Sequence, residues 1–356
     1  MTAGTSTCIK VSGLTKIFGD RPGEALKLAR SNVGRSEILE RTGCVLGLRN
    51  VSFEVAQGEI LIVMGLSGSG KSTTLRCINR LIDPSEGSIT VDGTEVTELS
   101  DRDLLAFRRA KFGMVFQQFA LFPHRSIAAN VEYGLEIQGI PPAVRRKRAL
   151  EAIELVGLKG WESALPAQLS GGMQQRAGLA RALAVDANIL LMDEAFSALD
   201  PLIRRDMQRE LVALQKSLKK TIVFVSHDLD EAIALGGRIV LMRDGEIVQQ
   251  GTALEFLTDP ADDYVERFVA HIDVLGVLKA RDVMRPLSEA PPNSNASELP
   301  RIPGATTLRA ALAVLASGVA AVSVMGDDGS PAGLLTEHGV IAALAAQHRR
   351  EAAVTG

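Results

Sequence analysis

Ile60-Leu61-Ile62-Val63-Met64-Gly65-Leu66-Ser67-Gly68-Ser69-Gly70-Lys71-Ser72-Thr73 is the stretch that decides the fold. Ile60 to Met64 form a continuous apolar run rich in branched side chains. Such a run reads as a strand buried on both faces, as in a parallel α/β sheet. Gly65 to Ser72 fit the pattern G-x-x-x-x-G-K-[ST], which wraps phosphate groups. The glycines let the amides of Gly65, Leu66, Ser67, Gly68, Ser69 and Gly70 turn inward without Cβ clashes. Lys71 supplies a point charge for terminal phosphates, and the Ser72 hydroxyl suits a Mg²⁺ ion. A helix opening at Ser72 and Thr73 would aim its positive end at the same phosphates. Strand, glycine loop and helix pattern follow in the order the motif requires.

The rest of the chain is large enough for more than one domain, at 356 residues with 46% hydrophobic content. Aromatics make up only 4%, so the core must be mostly aliphatic. Net charge is −3, from 39 basic and 42 acidic residues, which gives no support to a nucleic-acid partner. Cys8, Cys44 and Cys77 are odd in number and widely spaced, so neither a disulfide framework nor a metal cluster is expected. The N-terminus shows no apolar signal region. The apolar stretch Ala310 to Met325 is interrupted by Ser317 and Gly318 and is shorter than the ~20 residues a membrane helix needs.

Further apolar runs end in loops of similar chemical weight. Ile189 to Met192 runs into Asp193-Glu194, and Thr221 to Val225 into Ser226-His227. In parallel sheets ligands bind beyond the carboxyl ends of the strands, so these loops belong on one edge. Asp193 is placed to hold Mg²⁺ with Ser72, and Glu194 to accept a proton from an attacking water. Taken alone, that acidic pair also fits a helix cap. Val51 to Ala56 alternates and Ile89-Thr90-Val91 leads into the Asp92-Gly93 turn, which predicts an antiparallel sheet beside the parallel one. Between Phe119 and Leu169 the pattern is helical, with an amphipathic helix over Arg145 to Leu158 stopped near Gly157. Arg145 to Arg148 reads as its solvated face.

Leu169-Ser170-Gly171-Gly172-Met173 resembles the signature motif of ABC-type ATPases, with Met173 in place of the usual glutamine. Gln117 matches the Q-loop, Ser197-Ala198-Leu199-Asp200 the D-loop, His227 the switch histidine and Phe18 the adenine-stacking aromatic. The resemblance covers about residues 8 to 270. It implies an α/β P-loop ATPase cassette with a parallel core sheet, an antiparallel β subdomain and a helical subdomain at about 118–170. It implies ATP and Mg²⁺ as cofactors, with Glu194, His227 and Gln117 catalytic, and Ser72, Gln117 and Asp193 at the metal. It also implies a homodimer, in which Ser170, Gly171, Gly172, Met173 and Asp200 of one copy close over nucleotide held by the other. Helix-opening amides at the signature suit a γ-phosphate.

The segment Asp20 to Leu48 is longer than most import cassettes carry. With Ile38-Leu39-Glu40-Arg41-Thr42-Gly43, Phe119-Ala120-Leu121-Phe122-Pro123-His124 and Asp193 through Arg204, it is similar to the glycine betaine/proline import ATPases. That implies a subunit energising uptake of a compatible solute, with choline or carnitine as alternatives. Membrane-spanning permease subunits would hold it at the cytoplasmic face, and a solute-binding protein would act with them indirectly. Phe119, Leu121, Phe122 and Pro123 fit either a receiving surface for a permease helix or internal packing. A repair or translation ATPase usually has paired cassettes or a long coiled-coil insertion, and neither is in this sequence. A purely regulatory nucleotide-binding module is disfavoured by the intact Glu194 and His227.

The cassette is expected over residues 8–272. Pro286, Pro291, Pro292, Pro300 and Pro303 predict a linker over 273–304. Residues 305–350 resemble a single cystathionine-β-synthase-type (CBS) module: a helix over Leu308 to Leu315, a strand over Ala321 to Met325, a turn at 326–329 and a helix over Glu337 to Gln347. The family's ribose-binding aspartate would stand at 339, which is Gly339 here.

Overall fold

The computed structural model describes residues 6–117, 119–197, 199–270, 272–287, 299–326 and 328–344. The chain divides into two compact units, Met1–Gln250 and Gly251–Gly356.

In the first unit the strands are β1 (Thr7–Phe18), β2 (Val45–Ala56), β3 (Ile60–Met64), β4 (Glu86–Val91), β5 (Thr94–Glu95), β6 (Phe112–Val115), β7 (Ile189–Asp193), β8 (Thr221–Ser226), β9 (Arg238–Arg243) and β10 (Glu246–Gly251). The helices are α1 (Pro22–Arg30), α2 (Arg35–Thr42), α3 (Lys71–Ile78), α4 (Asp101–Lys111), α5 (Ile127–Ile137), α6 (Pro142–Leu155), α7 (Gly171–Ala184), α8 (Pro201–Leu218) and α9 (Leu229–Leu235). A six-stranded sheet runs β10-β9-β3-β8-β7-β6, and a four-stranded sheet runs β2-β1-β4-β5. In the larger sheet β3 pairs in parallel with β8 and β9, β8 with β7, and β7 with β6. Every residue of β3, β7 and β8 is buried, as their unbroken apolar runs predict. The smaller sheet is antiparallel, and one aliphatic core joins both sheets, from Ile9 and Val55 to Val63 and Val223.

α5, α6 and α7 pack on one another as the helical layer. It extends past the expected limit of 170, because α7 opens at Gly171 and runs to Ala184. α6 begins earlier than expected, with Pro142 in its first turn, where a missing N–H costs nothing. Gly157 ends it at φ 71°, a conformation glycine adopts freely. On α6, Arg145 and Arg146 both pair with Glu132 of α5, so this basic face is partly spent on helix–helix contact.

The second unit has α10 (Ala253–Thr258), α11 (Asp263–Val269), α12 (Val274–Val277), α13 (Ala280–Val283), β11 (Arg285–Pro286), β12 (Arg301–Pro303), α14 (Leu308–Leu315), β13 (Ala321–Met325) and β14 (Pro331–Thr336). Its sheet order is β11-β14-β13-β12, and residues 337–344 are helical. Two boundaries differ from the sequence expectation. Residues 251–272 group with this unit rather than with the first. The segment 273–304 is not simply a linker, since its described parts supply α12, α13 and both edge strands. Pro286 and Pro303 are compatible with those strands because an edge does not need every N–H. Pro291, Pro292 and the module's expected end at 345–350 lie outside the described residues.

Among the described residues no helix is long and apolar enough to cross a membrane. A methyl group on Gly237 would sit 2.3 Å from the Ile60 carbonyl oxygen, which is backbone and cannot swing away. Gly237→Ala should therefore lower stability by about 1–3 kcal/mol, read as a lower urea midpoint. Gly23→Ala, in open space on α1, should leave that midpoint unchanged or raise it.

Candidate active site

The register of the parallel strands sets the site. Met64 lies opposite Ser226, Asp193 opposite Val225, and Val115 opposite Met192. The loops after β3, β6, β7 and β8 therefore leave one edge of the sheet side by side.

After β3 the chain makes the glycine loop. Gly65, Gly68 and Gly70 have φ of 144°, 77° and 104°, where other residues would be strained. A Cβ on Gly65 would lie 2.2 Å from the Met242 carbonyl oxygen. The loop closes onto α3, whose first residue is Lys71. The Lys71 ammonium is buried and donates to the carbonyls of Gly65 (2.9 Å) and Leu66 (3.0 Å). Burial pushes its pKa down, while Glu194 and Asp193 pull it back up.

The Ser72 hydroxyl donates to Asp193 Oδ1 at 2.7 Å. Arg76, one turn along α3, donates to Asp193 Oδ2 at 3.2 Å. Glu194 follows at φ 45°, a sparsely populated conformation for a side-chain-bearing residue, with its amide bonded to the Val225 carbonyl. Its carboxylate gathers groups from neighbouring loops. Gln117 Nε2 donates to it at 3.1 Å, His227 Nδ1 is 3.6 Å away, and Lys71 Nζ is 3.9 Å away.

A cleft of about 260 Å³ opens over this cluster, lined among others by Phe18, Val45, Ser67, Gly70, Ser72 and Thr73. Phe18 is 37% exposed at its mouth, and the Lys16 ammonium stands 5.1 Å from the ring centroid. Glu194 also lines the cleft. An open aromatic face, an amide cradle with a lysine, and a carboxylate beyond them suit a purine nucleotide with its phosphate chain. The hard oxygen donors Ser72, Asp193 and Gln117 suit Mg²⁺, which keeps water and phosphate in most of its coordination positions.

Other expected residues lie elsewhere. Ser170 caps α7, accepting from the Met173 amide at 3.4 Å, and Ser170 and Gly171 are exposed. Gly172 packs against Ile203 of α8. Asp200 caps α8, accepting from the amides of Leu202 and Ile203. None of these lines the cleft of its own chain. Ala198 lies outside the described residues.

Sequence reasoning missed Arg76, and it missed Arg35 as a residue lining the cleft. Arg76 follows the motif by one helical turn, so its reach to Asp193 was available from spacing. Arg35 comes from the 20–48 insertion, whose packing has no sequence signature.

A second concavity, of about 520 Å³, lies between α4, α5, β6 and α7. Phe116, Ala120, Phe122 and Tyr133 line it, with Arg108 and Arg181. Phe122 stacks edge-on against Tyr133 at 4.6 Å, so it is partly internal packing and partly wall. Phe119, Leu121 and Pro123 do not line it.

The ABC transporter family pattern matches residues 48–197. The glycine betaine transport ATP-binding protein OpuAA of Bacillus subtilis is 54% identical over 78% of this chain, which spans 66% of that relative's length. GbuA of Listeria monocytogenes, a glycine betaine/carnitine transport ATP-binding protein, is 54% identical over 78% of this chain and 70% of its own. The trimethylamine N-oxide transport ATP-binding protein TmoW of Pelagibacter ubique is 47% identical over 82% of this chain and 84% of its own. A dimeric ATP-binding cassette solved in a post-hydrolysis state with ADP and Pi superposes with a TM-score of 0.58 at 34% identity, covering 68% of this chain and 98% of that one. Fold, site geometry and kinship agree, and the chain belongs to the ATP-binding proteins of ABC transporters.

Proposed function

We propose that this chain is an ATPase that energises import of a compatible solute, glycine betaine or proline, as half of a cassette dimer. The observation that carries the ATPase reading is the convergence of Lys71, Gln117 and His227 on Glu194 beside the Ser72–Asp193 hydrogen bond, while the solute rests on the likeness to glycine betaine transport proteins. That convergence assembles, from separate loops, the parts that phosphoryl transfer to water requires.

In this reading adenine stacks on Phe18 and the phosphates lie in the amide cradle at the N-terminus of α3. Lys71 exchanges its loop carbonyls and Glu194 for the terminal phosphates, which frees the Glu194 carboxylate. Glu194 then takes a proton from the attacking water as its oxygen bonds to the γ-phosphorus and the bond to ADP breaks. His227 holds the γ-phosphate, and Gln117 registers its presence. Ser72, Asp193 and Gln117 would hold Mg²⁺, which would supply positive charge against the phosphates.

One chain supplies donors to one side of the nucleotide only. The exposed opening of α7, at Ser170 and Gly171, is an amide-bearing helix end with no partner in its own cleft. A second copy places its Ser170, Gly171, Gly172 and Met173 against the γ-phosphate, with Asp200 at the dimer seam. The similarity to a dimeric cassette supports this arrangement.

The 520 Å³ concavity receives a helix of a membrane-spanning permease subunit, which holds the ATPase on the cytoplasmic face. A solute-binding protein acts through those subunits, and nucleic acid has no part. The order β12, α14, β13, β14 and a closing helix supports a single CBS-like module in the second unit. Gly339 leaves that module without the ribose-binding carboxylate.

A second solute reading, trimethylamine N-oxide, is favoured by the long shared span with the relative named for it. Glycine betaine and trimethylamine N-oxide are both small, methylated nitrogen solutes.

Glu194→Gln should cut ATP turnover by about 10²–10⁴-fold while leaving MgATP binding intact, with ATP-bound dimers accumulating in size-exclusion chromatography. Unchanged turnover would remove Glu194 from catalysis. Phe18→Ala should weaken MgATP binding by about 5- to 100-fold, from loss of base stacking, while Phe18→Tyr should not. Uptake of labelled glycine betaine, proline, choline and trimethylamine N-oxide in cells with and without this subunit should show subunit-dependent glycine betaine or proline transport. Dependence confined to trimethylamine N-oxide would select the second reading.

A further inference from the structure

The insertion between β1 and β2 folds as a small unit of its own against the antiparallel sheet. Ala25 and Ala29 of α1 and Ile38 of α2 are buried against Ile17, Cys44 and Leu46. Arg49 fastens the turn between the helices, donating to Asn32 Oδ1 at 2.7 Å. Arg30 of α1 is paired with Glu86 of β4. These attachments hold α2 at a fixed position, with its first turn beside the glycine loop.

Arg35 is the first residue of α2, and its Nη1 donates to the Gly68 carbonyl at 2.9 Å. Its side chain lines the same cleft as Phe18, Lys71 and Ser72. Arg30, Arg41 and Arg49 are each paired with a glutamate, Glu86, Glu37 and Glu246 respectively. Among the described residues Arg35 forms no such ion pair. A cation at the N-terminus of a helix also opposes the helix dipole. An unpaired guanidinium held against that dipole, at the rim of a phosphate cradle, is a site for an anion. Its planar fork can keep the Gly68 carbonyl on one arm and offer the other donors to phosphate oxygens.

We propose that Arg35 is a nucleotide-binding residue, delivered by the insertion, that contacts the terminal phosphates of ATP bound in its own chain. The proposal rests on the ATPase reading above and adds a second cation to the cradle beside Lys71. It gives the insertion a function as the outer wall of the nucleotide cleft.

The test is isothermal titration of MgATP into the full chain and into Arg35→Ala, Arg35→Lys and Arg35→Gln, with thermal unfolding run alongside to confirm that each variant is folded. Lysine keeps the charge, whereas glutamine keeps a donor for the Gly68 carbonyl and loses the charge. Arg35→Ala and Arg35→Gln should both bind MgATP about 10- to 100-fold more weakly, with Arg35→Lys recovering part of the loss, because it keeps the charge without the fork. Unaltered affinity in Arg35→Ala would overturn the proposal. Recovery by Arg35→Gln would also overturn it, since the residue would then only prop the loop through Gly68. A wild-type chain that binds no MgATP would instead overturn the ATPase reading.

Discussion

The parallel register of β3, β8 and β7 is the constraint on which the site depends. With β8 between the other two, Met64 is level with Ser226, and Asp193 with Val225. That alignment lets the Ser72 hydroxyl reach Asp193 across two strand spacings, and brings His227 beside Glu194. A slip by one residue along any of these strands would turn its buried side chains to the opposite face and separate the groups. The buried aliphatic runs make such a slip costly, so the core fixes the chemistry's geometry.

Around that edge the chain spends local strain where the loops must converge. Gly65 is packed onto the Met242 backbone, and Glu194 sits at positive φ with its amide tied to Val225. The Glu194 conformation is a cost that an ordinary strand-to-helix turn would avoid, and it aims a carboxylate into the cleft. The helical layer, by contrast, places its Ser170 corner away from the cleft of its own chain. In the proposed dimer, the exposed Ser170 corner of a second copy supplies the side of the nucleotide that one chain leaves open.

Much of the site was legible in the amino-acid sequence because its chemistry is local. The glycine loop, Asp193-Glu194 and His227 each end an apolar run, and apolar runs of that kind identify parallel strands. The expected linker was misread for a reason that is also physical. Proline suggests irregular chain, yet Pro286 and Pro303 lie in edge strands, where a missing N–H leaves no bond unmade. Residues 251–272 group with the second unit, and α10 and α11 carry no sequence mark of which unit they pack with. Phe122 shows the internal packing that the sequence left open, since its ring meets Tyr133, and it also walls a groove.

The sequence by itself determined the succession of chemical roles along the chain, the phosphate cradle, the acidic pair and the kinship that joins them. These are carried by spacing of a few residues, and backbone geometry converts such spacing directly into position. Only the tertiary structure decided that Gln117, His227 and Lys71 meet on one carboxylate. It alone showed that the insertion turns Arg35 toward Gly68 and that a groove opens beside α5. Contacts between residues tens of positions apart depend on how whole elements pack, and packing is set by shape complementarity that no local pattern encodes.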